Sequence, residues 1–167
     1  MAERRQVVEA WLLRYKDRVY RLAFTLLGDH EAAQDAAQEA LYHVARWCFQ
    51  HEDFEPTDAW VWQVTRNAVR DFARRALPKT VSLDDTMLAG DHSDIGIEVR
   101  LDVARALTRL SEGDREVLVF YYFLDLSSQE VAAVLGISPT AARIRLSRAR
   151  RRFKSVYEGS SKGEGIG

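Results

Sequence analysis

Apolar residues recur every three or four positions through the first stretch of the chain. Val8, Leu12, Tyr15, Val19, Leu22 and Leu26 fall on one stripe of a helix, and Trp11 widens it. Gly28 supplies a stop and Asp29 an N-cap for a second helix, Glu31 to about Trp47, whose close-packing face is Ala33, Ala36, Ala37, Ala40, Leu41 and Val44. A loop from Cys48 to Asp58 containing Phe54, Pro56 and Thr57 leads to a third helix, about Ala59 to Ala76. The period returns at Leu101 to Leu110, and Ser111 with Asp114 three residues later reads as a capping box opening a further helix through about Phe123. Strand-like alternation and internal repeats are missing from the pattern, so the fold class is all-α. The last stretch, Glu158 to Gly167, is too polar and glycine-rich to bury a face and is expected to stay unfolded.

The pattern is most specific between Leu126 and Lys154. Ser127 with Glu130 makes a capping box, Gly136 is the positive-φ residue that stops that helix, and Ser138 caps the next with Pro139 in its first turn. Two helices joined by so short a turn form a helix-turn-helix. Stepping about 100° per residue puts Ala142, Leu146, Ala149 and Phe153 on the inward stripe of the second helix. Thr140, Ile144, Ser147, Arg148 and Arg151 face outward, flanked by Arg143, Arg145, Arg150, Arg152 and Lys154. These seven cations have no Asp or Glu among them, whereas a solvated helix gains by mixing signs. An anion is therefore expected against this face, and the phosphate backbone of DNA fits.

Net charge changes the picture only when divided along the chain. The 24 cations and 25 anions nearly cancel, yet Pro78 to Arg100 holds Lys79 and Arg100 against Asp84, Asp85, Asp91, Asp94 and Glu98. With Pro78, Gly90 and Gly96 it reads as a flexible acidic linker. The expected organisation is two small helical domains, 1–77 and 101–157, joined by a linker, 78–100, and followed by a disordered tail, 158–167. No apolar run approaches a membrane span, and MAERRQVVEAW lacks a signal peptide's apolar core, so a cytoplasmic protein is expected. The lone Cys48 excludes an internal disulfide and any multi-thiolate metal site, and is read as a half-buried hydrophobe. Scattered histidines, the absence of a phosphate-binding glycine loop and the isolated pair Glu39 and His43 leave no enzyme, metal or cofactor signature.

Three stretches together resemble the extracytoplasmic-function (ECF) sigma factors of bacterial RNA polymerase: GDHEAAQDAAQEALYHVARW (Gly28 to Trp47), WVWQVTRNAVRDFARR (Trp60 to Arg75), and Leu110 to Phe153. The resemblance implies that Asp35, Gln38, Glu39 and Leu41 dock on the clamp helices of the core polymerase's largest subunit. It also implies that the third helix and the loop before it capture the promoter's minus-ten element. Arg66, Arg70, Arg74 and Arg75 recur at helical spacing and can form a cationic ridge for one strand, with Asn67 available to hydrogen-bond. Phe54, Thr57 and Asp58 are expected to shape a pocket for an unstacked base, which exposes its hydrogen-bonding edge outside the duplex. Trp60 and Trp62 are assigned to the core.

In the C-terminal domain the resemblance puts Arg143, Ile144 and Arg148 against bases of the minus-thirty-five element and Arg145 and Arg151 on phosphate, with Thr140 also counted in the DNA-binding set. Ile144 stands where a small polar residue is common, and Ala141 replaces the usual threonine. Glu52, Asp53, Glu55 and Asp58 also make the strand-capture loop unusually acidic. The outward Ile144 is expected to meet a thymine methyl. Factors of this kind are commonly held by an anti-sigma protein, which is an expected partner beside core polymerase and promoter DNA. The rival readings are a conventional helix-turn-helix repressor or activator, which would bind palindromic duplex DNA alone, and a helical adaptor whose basic helix takes an acidic protein.

Overall fold

The computed structural model describes residues 1–76 and 97–163, which belong to two compact units. They hold seven α-helices and one π-helical turn, with no strand among the described residues. Pro78, Lys79, Asp84, Asp85, Gly90, Asp91, Asp94 and Gly96, on which the linker reading largely rests, lie outside the described residues, as do 164–167.

The first unit packs α1 (Ala2–Leu27), α2 (His30–Gln50) and α3 (Asp58–Ala76) against one another. Gly28 takes φ 71°, and its N–H returns to Phe24 O at 2.8 Å, closing α1. Asp29 then accepts from Ala32 N at 2.8 Å, starting α2. Val8, Tyr15, Val19 and Leu22 are buried as the stripe requires, but Leu12 and Leu26 are half-buried, and Ala23, Phe24 and Leu27 complete the face. The alanine face of α2 lets the helices approach closely, with Ala33, Ala36 and Ala40 fully buried. From α3 come Val61, Trp62, Thr65, Ala68 and Val69. Trp62 is fully buried, meets Tyr15 edge-on at 5.9 Å and lies under the Arg18 guanidinium at 4.7 Å, whereas Trp60 is only partly buried.

The second helix outruns its expected end by about a turn. Cys48 therefore lies on the helix, fully buried rather than half-buried. Burial pushes its thiol pKa up, and the Arg4 charge opposes that shift.

The second unit contains α4 (Ile97–Thr108), α5 (Glu112–Leu118), the π-helical turn Val119–Phe123, α6 (Ser128–Leu135) and α7 (Pro139–Gly163). The α4 helix begins at Ile97, so the last residues assigned to the linker are helical instead. Arg115 closes its far end, donating to Leu107 O at 3.0 Å and to Thr108 O and Leu110 O at 3.3 Å. Burial lowers the Arg115 pKa, and Glu112 and Glu116 pull it back up. The expected capping box at Ser111 is half-formed. Ser111 Oγ accepts from Asp114 N at 3.3 Å, but the Asp114 carboxylate goes to Arg152 instead of returning to the cap.

The helix after Ser111 changes character at Val119, where Leu124 N–H bonds Val119 O at 3.2 Å. The wider turn buries Phe120 completely and leaves Tyr122 and Phe123 about half exposed. The tail also differs from expectation: α7 continues to Gly163. Extending an existing helix adds a hydrogen bond per residue without a new nucleus, and Lys154 pairs with Glu158 at 3.9 Å.

Candidate nucleic-acid interfaces

The helix-turn-helix forms as its caps require. Ser127 and Glu130 exchange bonds of 3.1 and 2.7 Å, and Gly136 stands at φ 66°, ψ 34°. The N–H groups of Gly136 and Ile137 both return to Ala132 O. Ser138 Oγ accepts from Ala141 N at 3.1 Å and starts α7. Val131, Ala132 and Val134 of α6 and Ala142, Leu146 and Ala149 of α7 are buried, while Phe153 is half-buried.

The opposite face of α7 is open. Thr140, Arg143, Ile144, Arg145, Arg148 and Arg151 are all exposed. Arg143 reaches Thr140 Oγ1 at 3.5 Å, and among the described residues Arg143, Arg145, Arg148 and Arg151 show no carboxylate partner within ion-pair distance. The other three cations differ from expectation. Arg152 forks onto Asp114 at 2.8 and 3.0 Å, Arg150 lies over Tyr121 and Tyr122 at 5.3 and 5.7 Å, and Lys154 pairs with Glu158. Arg152 and Arg150 brace the unit and Lys154 pairs along α7 itself, so the anion-facing surface narrows to the N-terminal part of α7.

In the first unit the residues divide differently. Asp58, expected to help shape a base pocket, has partners within the fold. Its carboxylate accepts from Tyr15 OH at 2.5 Å and lies 3.7 Å from Arg18. Burial, and then Asp58, push the Tyr15 pKa up to about 12. Thr57 caps α3, its Oγ1 accepting from Trp60 N at 3.2 Å. Phe54 packs edge-on against Trp60 at 4.8 Å. Of the expected ridge, Arg66 and Arg70 are half-buried and Arg74 is exposed, 4.0 Å from Asp71. Arg75 forks onto Glu39 at 3.0 and 3.1 Å. The ridge is thus partly neutralised by its own helix and by α2.

That ion pair joins two residues assigned to different partners. On α2, Asp35 and Gln38 are exposed, Leu41 is half-buried, and Glu39 is half-buried between Arg75 and His43, the latter at 3.8 Å. Between α2 and α3 an open groove of about 470 Å³ is lined by His43, Arg46, Trp47, Gln50, Trp60, Val64, Asn67, Ala68 and Asp71. The Trp47 side of this groove was not expected. Its position next to Arg46, at the end of an otherwise alanine-faced helix, was the available signal. A second groove, about 280 Å³ and mainly apolar, lies in the other unit among Leu107, Leu118, Tyr122, Phe123, Arg150 and Phe153. The π turn that creates it has no mark in the hydrophobic period.

The family models that match are sigma-70 region 2, over residues 11–77, and sigma-70 region 4, over residues 100–153. SigM of Bacillus subtilis, an ECF RNA polymerase sigma factor, is 26% identical over 86% of this chain and 90% of that protein. SigL of Mycobacterium tuberculosis, another, is 30% identical over 84% of this chain and 82% of that one. The solved structure of the sigma factor RpoE with the anti-sigma factor NepR from Bartonella quintana has the same fold. Its TM-score is 0.69 at 21% identity, over 90% of this chain and 96% of that chain.

Helical units carrying sigma-70 regions 2 and 4 define a transcription-initiation factor. Within that class the chain belongs to the ECF RNA polymerase sigma factors.

Proposed function

We propose that this sigma factor docks on core RNA polymerase through Asp35, Gln38, Glu39 and Leu41 of α2 and reads its promoter with both units. The observation that carries the reading is the outward face of α7, where Arg143, Arg145, Arg148 and Arg151 are exposed without a carboxylate partner among the described residues. Arg143, Ile144 and Arg148 face base edges of the minus-thirty-five element, with Thr140 beside them, and Arg145 and Arg151 take phosphates. A guanidinium fits guanine because two donors reach O6 and N7 together.

In the first unit the groove between α2 and α3 takes the displaced strand. Trp47 and Trp60 offer faces for stacking, Asn67 and Gln50 offer hydrogen bonds, and Arg66, Arg70 and Arg74 supply positive charge beside them. Phe54 and Thr57 act by shaping the groove's approach, and Asp58 by fixing the start of α3. Arg75 joins the strand-binding set when Glu39 turns to the polymerase. The protein works in the cytoplasm, where its polymerase is. An anti-sigma partner is proposed because the related RpoE is bound by NepR.

The test is run-off transcription with bacterial core polymerase, with and without the protein, over a promoter library. Discrete starts sharing two spaced upstream elements support the reading. Lack of stimulation, together with tight binding to a palindromic duplex by the protein alone, favours a conventional repressor or activator.

A further inference from the structure

One arginine at the start of α1 reaches across the first unit to the far end of α2. Arg4 Nε and Nη2 donate to Cys48 O at 3.0 and 2.7 Å, and Nη2 also donates to His51 O at 2.9 Å and to Phe54 O at 3.0 Å. Its guanidinium carbon lies 5.3 Å from the Trp11 ring centroid, so an aromatic on the same helix supports it.

The three carbonyls belong to the last turn of α2, its C-cap and the loop leading to α3. The final carbonyls of a helix have no amide partner within it, and a cation there also meets the negative end of the helix dipole. Arg4 meets both needs and adds a third bond, to Phe54 O, which bends the loop back toward α2. Phe54 then lies against Trp60, at the edge of the groove between α2 and α3.

We infer that Arg4 is a positioning residue for promoter opening: it holds the loop of residues 51–57 in the shape that receives the displaced strand. The inference rests on the proposed assignment of that loop and groove to strand capture. Arg4 acts through the loop backbone, with its Nε and Nη2 donors directed at protein carbonyls. A loop ordered before binding need not pay its ordering entropy when the strand arrives. Lysine cannot substitute, because a single ammonium keeps the charge but lacks the planar fork that spans three carbonyls.

The test compares full-length wild type and Arg4→Lys, each with core RNA polymerase, in two assays. The first is amide hydrogen exchange of the free chain. Exchange within 51–57 should quicken in the variant while the buried parts of α1 to α3 keep their protection. The second is the promoter-library transcription assay. Initiation should fall roughly tenfold, with selectivity flattened at minus-ten positions and unchanged at minus-thirty-five positions.

A merely structural role would lower both elements' contributions together, and that result overturns the inference. So does wild-type selectivity in the variant, with or without faster exchange. Wild-type protein that initiates nowhere overturns the promoter reading and takes the inference with it, a result distinct from failure of the variant alone. Arg4→Met, which keeps the aliphatic stem against Trp11, is the second variant if the lysine form does not fold. Arg5→Lys, on an exposed neighbour, is the control and should match wild type in both assays.

Discussion

Arg152 Nη1 lies 2.8 and 3.0 Å from the two carboxylate oxygens of Asp114, which is 6% exposed. The pair ties the middle of α7 to the first turn of α5, setting the angle at which the cationic helix leaves the unit. Because Arg152 is largely exposed, the bond is worth less than a fully buried pair. Asp114→Ala should destabilise this unit by about 1–2 kcal/mol. Hydrogen exchange checks this directly: α5 and α7 should lose protection while α1 to α3 stay unchanged.

Ile144 is 48% exposed and lies on the arginine-bearing face of α7. Since it packs little, Ile144→Ser should change stability by no more than about 0.5 kcal/mol. The same substitution removes an apolar contact from the base-facing surface, so preference at one minus-thirty-five position should shift. Sequencing of start sites from a promoter library gives the answer, and unchanged selectivity would remove Ile144 from the reading set.

Tyr15 gives the fold an alkaline limit. Its pKa is raised from 10.0 to about 12 by burial and by Asp58, so the folded state holds the phenol proton more tightly than the unfolded state does. The stability this contributes is complete below pH 10 and is lost as pH rises toward about 12. Tyr15→Phe should cost about 1 kcal/mol near neutrality through the lost hydrogen bond to Asp58, which keeps Arg18. It should also flatten the fall in stability over the alkaline window. Urea midpoints measured across that range would show it.

Gly136 separates strain from collision. Its φ of +66° disfavours any residue with a Cβ, yet a Cβ placed there meets nothing within 4 Å. Gly136→Ala should therefore cost about 1–2 kcal/mol, all of it backbone strain. Gly136→Asn should recover part of that, because asparagine tolerates the left-handed region. Thermal unfolding of the three proteins ranks them, and equal losses for Ala and Asn would exclude backbone strain as the cause.

Much of the candidate site was legible because it is local. The Ser127 and Glu130 box, the Gly136 stop and the outward positions of Thr140, Arg143, Ile144, Arg145, Arg148 and Arg151 depend on residues within a few positions of each other. The sequence did not show that the Asp58 carboxylate meets Tyr15, because Tyr15 lies on another helix, nor that Thr57 caps α3, because an N-cap and a base contact call for the same residue type. Arg150 and Arg152 were counted as free charge for a similar reason. The wheel of α7 shows where they point but not that Tyr121, Tyr122 and Asp114 stand there.

The sequence by itself determined the all-α class, two helical lobes and the caps of the helix-turn-helix, because helical period and capping are short-range properties of the chain, and three of its motif stretches carried the resemblance to the family. Only the tertiary structure decided which charges are spent inside the fold and which face outward. Arg75 on Glu39, Arg152 on Asp114 and Arg4 on three carbonyls each join residues more than thirty positions apart. Such pairs form when packed helices bring one side chain within hydrogen-bond reach of another. No spacing along a single helix encodes that distance.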